Sequence, residues 1–313
     1  MRRTFRTGIV LLGLCFALSR TAWFSAAGEG GMNTLPVDLS GGAPYTENIA
    51  TNPDFFEDPT IRVELHSVNH RENEYNVTYF YADVVIGHAS QLRTASADPR
   101  GFLTGWAKTG PEIAKRVNAV LALDGDFCDS YHKYERNKYC LRQGVVYRDT
   151  VTDYLDMLLI DEDGDFHVYQ SGQELAGADK EEIGGKKIIN AFQFGPALVI
   201  DGKPVEDEYI LDRAHSPAIA EPDNKAARMC IGQIDTLHYF VLTNWYGLNL
   251  AQLRDLVLSI APCKTLYVLD GGNSGQLMFM KSQVNRNETN GRTITDIIYF
   301  ASTNFMDESG RQE

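Results

Sequence analysis

Between Ile61 and Ala301 the chain is a succession of short runs rich in β-branched and aromatic residues, broken by Gly, Asp, Asn and Pro. Runs of this kind form strands, and strands must pair to satisfy their backbone groups. Ile61-Arg62-Val63-Glu64-Leu65-His66 alternates as a half-buried strand does, and 76–86 reads as a second strand. Further strands are predicted at 119–123, 144–147, 157–160, 166–169, 195–200, 229–233, 237–242, 265–269 and 296–301. Helical spacing is found at 110–117, where Pro111 suits the first turn and Glu112 its positive end. It is found again at 250–260, where Asn249 can cap and Leu250, Leu253, Leu256, Val257 and Ile260 make one apolar stripe. Residues 203–224 read as a polar insertion. The pattern predicts the α+β class: a single domain of mixed, largely antiparallel sheets packed with a few helices, with loops at strand ends forming the site.

The ends have a different character. Arg2, Arg3 and Arg6, an apolar run from Ile9 to Leu18 and the small residues Ser25 to Ala27 have the layout of a secretory signal. Residues 1–27 are therefore read as a signal peptide, with an uncleaved membrane anchor as the alternative. The expected location is secreted or cell envelope, with membrane contact only through this segment. Residues 28–60 read as a linker or N-terminal wrap, 61–305 as the folded domain and 306–313 as a polar tail.

The formal charge is −13, and loss of residues 1–27, which hold four arginines and no acid, takes it to −17. Such a surface repels phosphate backbones and argues against a nucleic-acid partner. Past the signal lie Cys128, Cys140, Cys230 and Cys263 without a Cys-x-x-Cys pair, which argues against a zinc site. Cys128 and Cys140 flank one loop and are the better disulfide pair; the alternative is that all are buried thiols. Asp161-Glu162-Asp163-Gly164-Asp165 lacks the Gly and Glu spacing of a calcium loop and reads as a hairpin turn. No metal and no cofactor is expected.

Two places share one pattern of helix, apolar strand and acidic glycine loop: Asp124-Gly125-Asp126 and Asp270-Gly271-Gly272-Asn273-Ser274. A strand end holds a carboxylate rigidly, and glycines let backbone N–H groups approach an anion. Paired carboxylates are what glycoside cleavage needs, although Asp-Gly is also a common turn dipeptide. Arg228, just before a strand, is the leading cation to grip a phosphate. Ser274 lacks the surroundings of a nucleophile elbow and reads as a ligand-binding hydroxyl.

The order of the motifs carries a resemblance. Ala122 to Phe127 is similar to an Ile-Asn-Gly-Asp-Tyr-Tyr segment, and Gly144-Val145-Val146-Tyr147-Arg148 to Asn-Gly-x-x-Tyr-Arg. Phe194 to Val199 is similar to Phe-Gly-Pro-x-Leu-Val, Arg228 to Gly232 to Arg-Thr-Ala-Ile-Gly, and Leu269 to Ser274 to Leu-Asp-Gly-Gly-Gly-Ser. Gly291-Arg292 and Asp296 to Tyr299 match the closing segment. Together these resemble the phosphodiester glycosidase family. The resemblance implies hydrolysis of a sugar linked through C1 to a phosphodiester, giving free sugar and a phosphomonoester, with a carbohydrate or phosphoglycan as partner. It implies catalytic roles for Asp126 and Asp270, as nucleophile or general base and as oxocarbenium stabiliser, and charge neutralisation by Arg228. It places Asp124, Gly271, Gly272, Asn273, Ser274 and Asn244 in substrate binding.

Three departures stand out: Asp124 replaces the family's Asn, Met229 its Thr and Asn273 its third loop Gly. A carboxylate at Asp124 is expected to repel an anionic ligand. A catalytically silent glycan-binding envelope protein on the same scaffold is therefore an alternative. So is a phosphatase of another class, since Asp124-x-Asp126 also resembles the nucleophile motif of haloacid-dehalogenase-type phosphatases, with Cys128 at its fifth position.

Overall fold

The alternating segment at 61–66 forms the strand Ile61–Val68, which pairs with Tyr79–Ile86 on one side and with the short strand Phe55–Glu57 on the other. The computed structural model describes residues 52–127, 129, 138–152, 154–170, 181–214, 219, 221, 223–285 and 292–303. The expected signal peptide and the polar tail lie outside them. Phe55–Glu57 falls in the stretch read as linker or wrap and makes the edge of the largest sheet. That sheet has eight strands, in the order Phe55–Glu57, Ile61–Val68, Tyr79–Ile86, His238–Asn244, Met229–Asp235, Thr265–Leu269, Ala197–Ile200 and Lys203–Pro204.

A five-stranded sheet runs Ser282–Gln283, Leu277–Phe279, Ala119–Asp124, Asp296–Ala301, Leu92–Ser96. A third sheet is built on Val145–Arg148, Cys140–Arg142, Lys186–Phe192, Met157–Asp161 and Phe166–Tyr169. Every strand pairing among the described residues is antiparallel. With the helices Gly110–Arg116, Asp207–Arg213 and Leu250–Ile260, the chain is the expected α+β domain.

Leu250–Ile260 starts where the cap predicts, the Gln252 N–H donating to Asn249 Oδ1 at 2.8 Å. Its stripe buries Leu250, Leu253, Leu256 and Val257. Each such side chain contributes roughly 1.5–3 kcal/mol. Ile260, placed in the same stripe, is only partly buried. Several elements were not predicted, among them the strands Cys140–Arg142, Lys186–Phe192 and Leu277–Phe279 and the two that follow. Asp207–Arg213 buries only Ile210, so it has no periodic stripe. Leu92–Ser96 is buried along its whole length, yet it carries Arg93, Thr94 and Ser96, which mask it as polar. Thr94 satisfies its hydroxyl on Asn190 at 3.0 Å across the sheets.

The acidic run at 161–165 is a hairpin turn between Met157–Asp161 and Phe166–Tyr169. Lys186 sits among its carboxylates, 2.9 Å from Asp163 and 3.3 Å from Asp165. Cys140, Cys230 and Cys263 are free buried thiols; Cys128, the partner expected for Cys140, lies outside the described residues. Among the described residues no helix is long and apolar enough to cross a membrane.

Candidate active site

Three strand ends meet where the eight-stranded and five-stranded sheets touch. Ala119–Asp124 ends at Asp124, beside the start of Asp296–Ala301, with Ile297 opposite Asp124 in the ladder. Thr265–Leu269, of the larger sheet, delivers Asp270. Backbone hydrogen bonds join them: Asp270 N–H to Gly125 O at 3.2 Å, Gly125 N–H to Asp296 O at 3.3 Å and Asp124 N–H to Gln276 O at 3.2 Å. A small open pocket results. Asp124, Gly125 and Phe127 line it from one strand end, Asp270 and Ser274 from the glycine loop, and Thr293 to Asp296 from the approach to the last strand. Gly125 is required here, because a Cβ would stand 2.4 Å from Asp296 Oδ2. Phe127 holds φ at +59°, an uncommon conformation for a bulky residue, and Arg292 lies 5.6 Å from its ring centre.

The three acids are not equivalent. Asp124 is 2% exposed; its Oδ1 accepts the Gln276 N–H at 3.0 Å, and Oδ2 has no hydrogen-bond partner among the described residues. Burial, then the charges of Asp270 and Asp296, raises its carboxyl well above the usual range, against the pull of the Gln276 N–H. Asp270 is also raised by burial, but the Ser274 hydroxyl, Lys138, Arg292 and the Gly271 N–H all pull it back. Asp296 is pushed up to about 6, chiefly by burial, with Arg142 opposing.

The phosphodiester glycosidase family pattern matches residues 117–301. The chain belongs to this family. As a fold, this phosphodiester glycosidase-family chain is similar to the zebrafish N-acetylglucosamine-1-phosphodiester alpha-N-acetylglucosaminidase catalytic domain, auto-inhibited by its pro-peptide. The TM-score is 0.60 at 13% identity, covering 83% of this chain and 87% of that one. A hypothetical protein from Synechocystis aligns at TM-score 0.50 and 13% identity, over 80% of this chain and 64% of that one. A protein described as exported, from Burkholderia pseudomallei, aligns at TM-score 0.51 and 10% identity, over 72% and 74%. No curated protein matches the chain.

Within this family member, the residues singled out from sequence divide into two sets. Asp124, Asp270 and Ser274 come together in the pocket. Asp126 does not line it: its carboxylate is fully buried against Arg142 at 2.6 Å and accepts the Gln193 N–H at 2.9 Å. Arg228 does not line it either. Its guanidinium donates to Leu248 O at 3.2 Å, Ile219 O at 3.2 Å, and Asn224 O and Oδ1 at 2.7 and 3.1 Å. Burial lowers its pKa to about 10. Asn244 is turned to the same segment, accepting the Arg228 N–H at 3.1 Å.

The glycine loop is built differently from the anion cradle that its sequence suggests. The Gly271 N–H donates to Asp270 Oδ1, Gly272 to Ala227 O and Ser274 to Gly271 O, so these amides are taken. Gly271 is needed for packing, since a Cβ would meet Ala227 O at 2.7 Å, and Gly272 for its φ of +58°. Asn273 is exposed and accepts the Tyr246 hydroxyl at 3.2 Å.

Sequence reasoning missed Asp296 and Arg292 as site residues, although both lie in the closing segment. The available signal was the antiparallel register, which sets the start of the last strand beside Asp124. Arg228→Ala is expected to lower stability by about 2–4 kcal/mol through lost charged hydrogen bonds. Urea unfolding measures this. A phosphate clamp would instead raise KM and leave stability alone.

Proposed function

We propose that this chain hydrolyses a sugar-1-phosphodiester, releasing free sugar and a phosphomonoester, on exported or envelope glycan. The observation that carries the reading is the convergence of Asp124, Asp270 and Asp296 on one pocket in a member of the phosphodiester glycosidase family. The N-terminal basic, apolar and small-residue layout supports the exported setting.

Two carboxyls whose surroundings separate their pKa values can divide acid and base roles. Asp124 keeps its proton and offers Oδ2–H to the phosphate oxygen that leaves C1. In that neutral form it has the shape and charge of the family's Asn, so it does not repel the anionic substrate. Asp270, where Ser274, Lys138, Arg292 and the Gly271 N–H oppose the effect of burial, is assigned the base role and faces the positive charge that grows at C1. Water adds to C1 and gives its proton to Asp270, while the C1–O electron pair leaves with the phosphate. Arg292, at the rim, supplies the counter-charge that Arg228 does not.

The test is incubation of the purified full chain with a panel of sugar-1-phosphodiesters, reading free sugar and phosphomonoester. Glycan binding without turnover across the panel would favour the silent-binder alternative. Release of phosphate from simple monoesters would favour a phosphatase.

Asp124→Asn gives a second, pH-resolved test. The folded state holds a proton on Asp124 that the unfolded chain releases above about 3.9. Its contribution is therefore full below that value and is lost as pH rises through the raised folded pKa. The Asn variant should melt a few degrees higher than the parent at about pH 8, and the gap should close at about pH 4. Its rate of sugar release should fall at every pH, because an amide cannot give a proton to the leaving phosphate. An identical pH profile for both proteins would remove the proton from Asp124.

A further inference from the structure

The loop 98–109, which leads to the pocket, and the strand Val145–Arg148 hold aromatic rings on the surface. Trp106 is 51% exposed and Tyr147 38%. Asp98, itself buried, grips Arg100 through both oxygens, with Nε at 3.0 Å from each and Nη2 at 2.7 Å from Oδ2. The guanidinium so fixed lies 4.9 Å from the ring centre of Trp106. One face of the indole thus rests on an anchored cation, a contact that holds the ring in place, while half of the residue stays in water. Phe102 packs edge-on to Tyr147 at 5.1 Å, and a Cβ at Gly101, which holds φ at +142°, would stand 3.5 Å from the Tyr147 ring.

Two connections tie this patch to the pocket. Lys108 and Ile294 exchange backbone hydrogen bonds of 3.0 and 2.7 Å, and Ile294 lines the pocket. Phe102 lies 5.9 Å from the Arg142 guanidinium, whose Nη2 is 3.4 Å from Asp296. Single exposed hydrophobics need no explanation. A Trp braced by a salt-bridged Arg, on a loop that packs Phe102 against Tyr147 of the strand Val145–Arg148 and ends at the pocket wall, does. Neutral sugar rings present a C–H face that packs on aromatic rings and hydroxyls that stay in water, which suits large rigid side chains with little rotamer entropy to lose.

We propose that Trp106, braced by Arg100 and accompanied by the Phe102–Tyr147 pair, is a sugar subsite that takes a further unit of the glycan beyond the one whose C1 bond is cleaved. The class of ligand rests on the glycosidase reading. The subsite can be tested without turnover. Titrate the full chain, Trp106→Ala and Trp106→Phe by calorimetry against an array of neutral oligosaccharides of increasing length. The parent should bind longer members more tightly, Trp106→Ala should lose about tenfold, and Trp106→Phe should keep most of the affinity. Melting temperatures of all three should agree.

In turnover, the KM for a diester carried on an oligosaccharide should rise about tenfold in Trp106→Ala. The kcat, and both constants for the corresponding methyl diester, should not move. Equal binding by parent and Trp106→Ala, no binding by the parent to any member, or an equal change for the methyl diester would overturn the subsite. Absence of turnover on every diester, with the length-dependent binding intact, would overturn the hydrolase reading and leave the subsite standing.

Discussion

Asp270→Asn is expected to lower release of free sugar by at least about a thousandfold while the melting curve stays close to that of the parent. Asn has nearly the shape of Asp and can still accept hydrogen bonds from Ser274 and the Gly271 N–H, so the loop keeps its form. What it lacks is the negative charge facing C1 and the site that receives the proton of water. Both matter only as the C1–O bond breaks, so the loss belongs in kcat and kcat/KM together. Steady-state kinetics on the best substrate of the panel measures it. A kcat within a few-fold of the parent would take Asp270 out of the chemistry and, with it, the proposed division of roles.

The second large effect is on stability. Arg142 and Asp126 are each 0% exposed and 2.6 Å apart, and Asp296, at 3.4 Å, shares the same guanidinium. Arg142→Met strands buried carboxylates, so a loss of about 3–5 kcal/mol is expected in urea unfolding. The loss depends on pH with a definite sign. Asp296 already sits raised to about 6, so its folded-state contribution is lost as pH climbs from about 4 towards 6. Without Arg142 opposing burial, that pKa rises further, and the penalty at about pH 8 exceeds that at about pH 5.

Asp126→Asn belongs to the same experiment. In the arrangement seen here it costs stability, and the protein that remains folded keeps its turnover. The double variant with Arg142→Met costs less than the sum of the two, because the partners are already gone. A well-folded but inactive Asp126→Asn protein would return Asp126 to the reaction.

The local pattern carried much of the fold. Period-two alternation at 61–66, the apolar runs at 119–123 and 265–269, and the capped stripe at 250–260 each report a face to be buried, and each became the element it predicted. Leu92–Ser96 and Asp207–Arg213 escaped because one buries polar groups on partners distant in sequence and the other buries almost nothing. The site was half legible in the same way. Asp124, Asp270 and Ser274 sit at or just beyond strand ends, and strand ends can be read along the chain.

Other assignments turned on neighbours that local pattern does not reveal. Asp124 and Asp126 are two positions apart in one motif, yet one carboxyl lines the pocket and the other is bound to Arg142 from a different sheet. Arg228 looked like a free cation beside a strand and is bound to three carbonyls supplied by Leu248, Ile219 and Asn224. Asp296, twenty-six residues past Asp270, enters the site because Asp296–Ala301 pairs antiparallel to Ala119–Asp124.

By itself the sequence determined the α+β class and the family, and it pointed to a candidate site at the Asp270 loop and the end of the Asp124 strand. These follow from hydrophobic period, turn chemistry and motif order, all local along the chain. Tertiary structure alone decided which carboxylates share the pocket, which are paired with a buried arginine and which are raised by burial. Those outcomes depend on burial and on charges brought together by strand register, and neither exists until the sheets have formed.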